Sequence, residues 1–342
     1  MLFGHIIQDG HKENSMFSEK DTVHRFNPTY TPRRLREDFL ALGIEINTTD
    51  IDAGNDISFE LHIEGRPLEN NTTPKYLIAT ETPFINKLNA DKKYLSNFKQ
   101  VFTWNQSLLS LPNVSQIFFP SKTTWEPSPK FEERNIFTCL INANKAFPEP
   151  LKNDLYRERI STIRWYEANA PELFHLYGLG WHKPPPAFTT KEKITRRIAR
   201  LRSQLFSYKP FPSYKGEIAN KHGVLKNSKF SICYENVKNQ PNWITEKIFD
   251  SLLAGCVPVY WGADNISHHI PNNCFIDRRK FTCTAEMHSY LSTITNQQHQ
   301  TYQDNIKKFL TTGDAKKFST ESYSKIITEK IYNDITSNYL GQ

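Results

Sequence analysis

FSICYENVKNQPNWITEKIFDSLLAGCVPVYWG, residues 230–262, is the stretch whose reading decides the fold. Phe230, Ile232 and Tyr234 alternate with Ser231 and Cys233, which is the period of a strand. A polar loop with Pro241 follows, and Thr245 stands where it can cap a helix over 245–254. Ile248, Phe249, Leu252 and Leu253 give that helix an apolar face, and Gly255 supplies a stop. Residues 256–261 return as a strand apart from the break at Pro258. Strand, loop, helix and strand in that order form the repeating unit of parallel α/β sheets.

The start of the helix also carries chemistry. The first N–H groups of a helix have no internal partners and face outward, so an anion is welcome there. Lys247 adds a full positive charge in the first turn, where the helix dipole disfavours it by about 0.3–1 kcal/mol. A bound diphosphate would more than offset that cost. Glu246 beside it can accept hydrogen bonds from sugar hydroxyls. An ordinary capped helix with its lysine in water accounts for the same residues, and physics alone leaves both readings open.

Toward the N-terminus the pattern is also α/β. Leu35, Phe39 and Leu42 share a helical face that ends at Gly43. Strands are expected after Gly43, over 57–63, over 75–80, and at Gln100–Thr103 and Ser115–Phe119. The polar, proline-bearing run from Pro120 to Arg134 reads as a linker. Beyond it come a strand over 135–142, a helix from Asp154 to Asn169 and a short strand from Phe174 to Tyr177. A basic, proline-rich insertion over 183–216 leads back to residue 230. The expected division is 1–130 and 131–342, two α/β domains with a ligand in the cleft between them.

Composition narrows the function classes. The chain has 342 residues, 13% of them aromatic, which excludes a disordered or low-complexity protein. No apolar run approaches the roughly 20 residues of a membrane span, and Met1 to Gly10 lacks the pattern of a signal peptide. Five cysteines without a C-x-x-C argue against a disulfide framework or zinc site and for a reducing compartment. The net charge of +7 is concentrated. Eleven Lys/Arg between Lys191 and Phe230 face only Glu192 and Glu217, so this stretch is +9 and the remainder −2. Such a field attracts phosphates, nucleic acid or an anionic membrane; a solvated helix face is the plainer account of Arg196–Arg202. Phe206, Tyr208, Phe211 and Tyr214 lie in a setting that reads as a packed loop rather than a stacking platform, so nucleic acid is not expected as a partner.

YEN, then WITEKIFDSLLAGCVPVYWGADN, then IPNNCFID resembles the signature of the α-1,3/4-fucosyltransferases, glycosyltransferase family 10. The likeness spans about fifty contiguous residues and continues more weakly through KFSICYEN, INANK (141–145) and YRER (156–159). It implies a GT-B architecture, two facing Rossmann-like domains, with GDP-fucose held mainly by the C-terminal one and the acceptor on the side of residues 1–130. Carried over by position, Asn236, Thr245, Glu246 and Lys247 would contact the donor, together with Tyr234 of the YEN element. Arg157 would hold phosphate, and Lys221 is a weaker phosphate candidate. Trp243 stands where the family usually has tyrosine, and an indole cannot accept a hydrogen bond as a phenol does. An arginine near the family's Tyr-Gly has no counterpart here, since Leu179 follows Gly178.

Transfer with inversion needs one base for the acceptor proton and a cationic cradle for departing GDP. Glu81 ends the strand KYLIAT and precedes Thr82-Pro83, at the sheet edge where α/β enzymes place working residues. The resemblance implies the same, because a Glu-Ser-Pro-like element supplies the family's base. A carboxylate serving a helix dipole is the alternative for Glu81 taken alone. Asp50-Ile51-Asp52 has the D-x-D pattern of metal-dependent glycosyltransferases but reads as a turn, and His268-His269 as surface. No metal site is therefore expected, and no cofactor beyond the donor GDP-fucose. The expected partners are an oligosaccharide or glycolipid acceptor and an anionic membrane touched peripherally from the cytoplasm. Two other readings stay open: a GT-B enzyme using a different nucleotide sugar, and a basic non-enzymatic protein bound to nucleic acid or membrane.

Overall fold

The computed structural model describes residues 1–18, 29–51, 56–206 and 209–340. The N-terminal unit is built on six parallel strands: β1 (Leu2–Ile7), β2 (Ile44–Thr48), β3 (Phe59–Ile63), β4 (Lys75–Ala79), β5 (Gln100–Thr103) and β6 (Val114–Gln116). Their order in the sheet is β2-β1-β3-β4-β5-β6. Helix α1 (Tyr30–Ala41) buries Leu35 and Phe39 and ends at Gly43, whose φ of +77° suits glycine, as the apolar spacing predicts. The short α2 (Lys92–Leu95) starts at Asp91, whose side chain accepts from Lys93 and Tyr94 N–H.

The second unit has five parallel strands: β7 (Ile136–Ile141), β8 (Phe174–Tyr177), β9 (Ser228–Tyr234), β10 (Val257–Trp261) and β11 (Ile276–Asp277). They lie in the order β11-β10-β9-β7-β8. Its helices are α3 (Tyr156–Asn169), α4 (Thr190–Phe206), α5 (Lys221–Lys226), α6 (Glu246–Leu253), α7 (Thr284–Thr293) and α8 (Asn296–Thr311). Helix α6 fully buries Ile248, Phe249 and Leu252, each contributing about 1.5–3 kcal/mol of hydrophobic stabilisation. Pro258 does not break β10: it pairs opposite Ser231 within the register Val257↔Phe230 to Trp261↔Tyr234.

Several expectations shift. β1 and α5 had not been anticipated, and the strand placed at Ser115–Phe119 is the shorter β6. The run 120–134 is no free linker. Arg134 is 2% exposed and donates to the carbonyls of Leu225, Ser228 and Ala254 at 3.1, 2.8 and 3.0 Å. The division at 130/131 is crossed by α9 (Thr320–Leu340), which packs on α1. Tyr323, Ile327, Ile331 and Ile335 join the core of the first sheet with Phe39, Phe59 and Tyr76. The N-terminal sheet would otherwise leave that face in water, so the end of the chain completes its core.

Candidate active site

In the second sheet β8 lies outside β7, while β9, β10 and β11 continue from its other side. The winding therefore reverses between β7 and β9, and a crevice opens beyond the carboxyl ends of those two strands, the usual ligand position in such sheets. A small, open recess lies there, lined among others by Asn142, Lys221, Cys233, Lys247 and Ser251.

Thr245 caps α6, its hydroxyl accepting from Lys247 N–H at 3.5 Å. Both residues are governed by Glu235, one position past β9 and wholly buried. Glu235 accepts from Thr245 N–H at 2.9 Å, from the Thr245 hydroxyl at 2.8 Å, and from Lys247 Nζ at 3.1 Å. Gly262 leaves room for this carboxylate, since a Cβ there would lie 2.5 Å from Glu235 Cγ. Burial alone would pull the Lys247 ammonium toward neutrality, but Glu235 and Glu246 outweigh it and hold it charged. Glu246 keeps its side chain 43% exposed at the helix start. Although burial opposes ionisation, Lys247 and Lys221 keep its carboxyl below the ordinary range. Lys221, on α5, is ion-paired with Asp250 of α6. A partly buried, fixed ammonium beside a helix N-terminus is an arrangement that favours an anion.

Glu81 follows β4 in the first unit and is partly buried. One carboxylate oxygen, Oε2, is buried with no hydrogen-bond partner in the protein. Burial raises its proton affinity, Glu64 raises it further, and Lys247 and Lys145 pull it down. Those opposing lysines belong to the second unit, so Glu81 and Lys247 share one electrostatic site. The loop carrying Glu81 is held by Glu64, which has the left-handed φ of +66°. Glu64 accepts from the N–H groups of Thr80 at 3.0 Å and Glu81 at 3.1 Å, and also from the Thr80 hydroxyl and Asn89.

The remaining expected residues fall in different places. Asn236 lies past β9, where its side-chain oxygen accepts from Arg159 at 3.1 Å. Arg157 is not brought to the recess wall: its side chain is 61% exposed on α3, with Nε 3.4 Å from Asp154. Tyr234 departs from the expected donor contact, because its ring is fully buried in the sheet core and its hydroxyl accepts from Arg278 at 3.0 Å. Trp243 is likewise 2% exposed, its N–H committed to the Thr80 carbonyl at 3.2 Å. Asp50 behaves as the turn residue expected of it, accepting from Glu13 N–H at 2.7 Å, while Asp52 lies outside the described residues.

Sequence reasoning missed Glu235, Glu64 and Arg159. Glu235 stood inside the YEN element, and a carboxylate directly after the alternating strand was a usable signal. Arg159 is 2% exposed and shares a helical face with Tyr156, Ile163 and Tyr166; the 3.6-residue period would have chosen it over Arg157. Glu64 had no local signal, since its partners lie 16 to 25 residues away.

The family model described as glycosyltransferase family 10 (fucosyltransferase) C-term matches residues 200–313, the segment that carries Glu235, Thr245 and Lys247. An α-(1,4)-fucosyltransferase of Arabidopsis thaliana is 33% identical over 73 residues, 21% of this chain and 18% of that protein. An α-(1,3)-fucosyltransferase of Helicobacter pylori is 29% identical over 82 residues, 23% of this chain and 17% of that protein. The matched stretch thus spans less than a fifth of either relative's length. The crystal structure of an α1,3-fucosyltransferase with GDP aligns over 97% of this chain and 89% of its own, with a TM-score of 0.50 at 12% identity. That likeness is one of fold, the GT-B arrangement of two parallel α/β units. Residues 200–313 are thus similar to the C-terminal part of glycosyltransferase family 10, the fucosyltransferases.

Proposed function

We propose that the protein transfers L-fucose, with inversion, from GDP-β-L-fucose to a hydroxyl of an N-acetylglucosamine- or glucose-containing glycan, in α-1,3 linkage. The observation that carries this reading is Glu81. Its buried Oε2 lacks a partner, its proton affinity is raised, and it senses the charge of Lys247 across the two units. In the proposed step Glu81 takes the acceptor's hydroxyl proton as that oxygen bonds to the fucose anomeric carbon. The bond from that carbon to the β-phosphate breaks, and its electron pair leaves with GDP. Lys247, with the α6 N-terminus, receives the negative charge, and Glu246 is placed for a sugar or ribose hydroxyl. The chain supplies this positive charge itself, without a divalent metal in the proposed step.

Product analysis with GDP-fucose and a panel of acceptor oligosaccharides tests the reading and fixes the linkage. Release of UDP from a UDP-sugar, with no turnover of GDP-fucose, would instead favour the GT-B enzyme of different donor. For location the same proposal puts the protein peripherally on the cytoplasmic face of an anionic membrane, near lipid-linked glycan. Helix α4 supports this. It exposes Ile194, Ile198 and Leu201 at 57%, 47% and 49%, in the i, i+4, i+7 spacing of one stripe, beside exposed Lys191, Lys193, Arg196 and Arg197. Its one carboxylate, Glu192, is occupied at the helix start by the N–H groups of Phe188 and Thr189. Aliphatic rather than aromatic residues on that stripe favour lipid over nucleic acid. Among the described residues no helix is long and apolar enough to cross a membrane.

A further inference from the structure

The Thr80 carbonyl, immediately before Glu81, accepts two indole N–H groups, one from each unit. Trp104, after β5 of the first unit, donates at 2.8 Å, and Trp243, before α6 of the second, donates at 3.2 Å. The rings lie 6.1 Å apart and are 3% and 2% exposed. Phe147, Leu151 and Val237 close the same small apolar cluster, which joins the two units. The other polar atoms of Thr80, its N–H and hydroxyl, are both held by Glu64. Every hydrogen-bonding group of this one residue is therefore engaged, and one of those engagements comes from the donor-binding unit. Trp243 stands two residues before the cap Thr245 and four before Lys247. Its neighbour Asn242 is fixed as well, with its N–H donating to Asn265 at 2.8 Å and its side-chain oxygen bonded to Asn265 at 2.7 Å and His269 at 2.8 Å.

We propose that Trp243 is a positioning residue that sets the base Glu81 in register with the donor-binding turn, through its hydrogen bond to the Thr80 carbonyl. The physical ground is that a base must reach the acceptor hydroxyl within hydrogen-bond distance while the donor is bound on the opposite unit. Glu81 and Lys247 are 166 positions apart in the chain, so their separation in space depends on contacts such as this one. A carbonyl has two lone pairs, and using both on rigid indoles leaves the Thr80–Glu81 peptide little freedom to tilt. An indole can act this way because it is purely a donor at nitrogen. The proposal rests on Glu81 being the base, as argued above.

The test is Trp243→Phe, which keeps an aromatic ring in the cluster and removes the N–H, measured beside Trp104→Phe. Expected for Trp243→Phe are GDP affinity within about twofold of wild type by calorimetry, and kcat lower by roughly 10- to 100-fold with little change in the KM for GDP-fucose. Amide hydrogen exchange over residues 80–86 should also speed up, without need of any substrate. Trp104→Phe should act in the same direction on exchange and kcat. Wild-type kcat together with unchanged exchange in Trp243→Phe would overturn the proposal. So would GDP affinity falling in step with kcat, which would make Trp243 a nucleotide contact. If the wild-type chain transfers no fucose while exchange still accelerates in the variant, the functional reading fails and the register contact stands.

Discussion

Lys247 Nζ lies 3.1 Å from Glu235 Oε2, and Glu235 has no exposure to solvent. The pair converts a helix-start lysine, which would otherwise sample water, into a fixed cation at the wall of the recess. The same carboxylate orders the cap, since Thr245 donates to it from both backbone and hydroxyl. The charge at the recess wall and the helix geometry are thus coupled through one residue at the end of β9.

Removing that carboxylate should therefore damage fold and binding together. Glu235→Ala leaves a largely shielded ammonium and the Thr245 donors without their acceptor, a loss of up to about 3–5 kcal/mol, the cost of breaking a buried pair. Urea unfolding should show it as a lower midpoint at unchanged slope. Lys247→Met, similar in length, should cost less stability yet abolish measurable GDP binding. A Lys247→Met protein that binds GDP normally would remove the lysine from the donor site.

Glu81 should show the opposite separation. Glu81→Gln keeps the shape, so GDP affinity should stay within error, while transfer falls by about 10²–10⁴. Since burial and Glu64 raise the carboxyl's proton affinity, its charge at neutral pH is a burden to the folded state. The glutamine variant should accordingly melt at a higher temperature than wild type at pH 7, measured by calorimetry.

The pH dependence follows with a definite sign. A carboxyl whose folded pKa exceeds its unfolded value binds more protons when folded, so stability falls as pH rises through that window. With Glu81 as the proposed base, activity should run the other way, rising with pH as that carboxyl ionises. The acid limb of kcat should therefore lie above the ordinary glutamate range of about 4.3. Glu64→Gln removes a repelling charge and should shift that limb to lower pH. A limb that stays in place would exclude Glu64 as the neighbour that tunes the base.

Helix α9 should prove indispensable to the N-terminal unit. Ile327 and Ile331 are fully buried against the first sheet, and each change to alanine should cost about 2–5 kcal/mol. A fragment of residues 1–130 should lack cooperative thermal unfolding by circular dichroism. A fragment that melts sharply would show that this unit completes its core unaided.

For the membrane, wild type should co-sediment with phosphatidylserine-containing vesicles and not with neutral ones, and salt should weaken the binding. Ile194→Asp with Ile198→Asp should abolish it, with GDP affinity unchanged because α4 does not line the recess. Binding that is equally strong on neutral vesicles, or insensitive to the double substitution, would argue against the helix as the contact.

Much of the site was readable before any coordinates. The alternation over 230–234, the cap at Thr245 and the apolar face of α6 are local periodicities, and they fix a strand-loop-helix-strand unit whatever surrounds it. Glu81 stood out for the same reason, as the first charged residue beyond a buried strand. What the chain could not disclose locally was which side chains turn inward at long range. Tyr234 has a polar hydroxyl but spends it on Arg278, 44 positions away, and Trp243 spends its N–H on Thr80, 163 positions away.

Sequence by itself determined most of the element types, the parallel α/β class and the family resemblance around Lys247, because these depend on neighbours within a few turns of backbone. Tertiary structure alone decided that Glu235 pairs with Lys247, that Glu64 and two indoles fix the loop of Glu81, and that α9 closes the first sheet. Each of these joins residues far apart in the chain, and burial of a charge or of an apolar face is defined only once the distant segments have met.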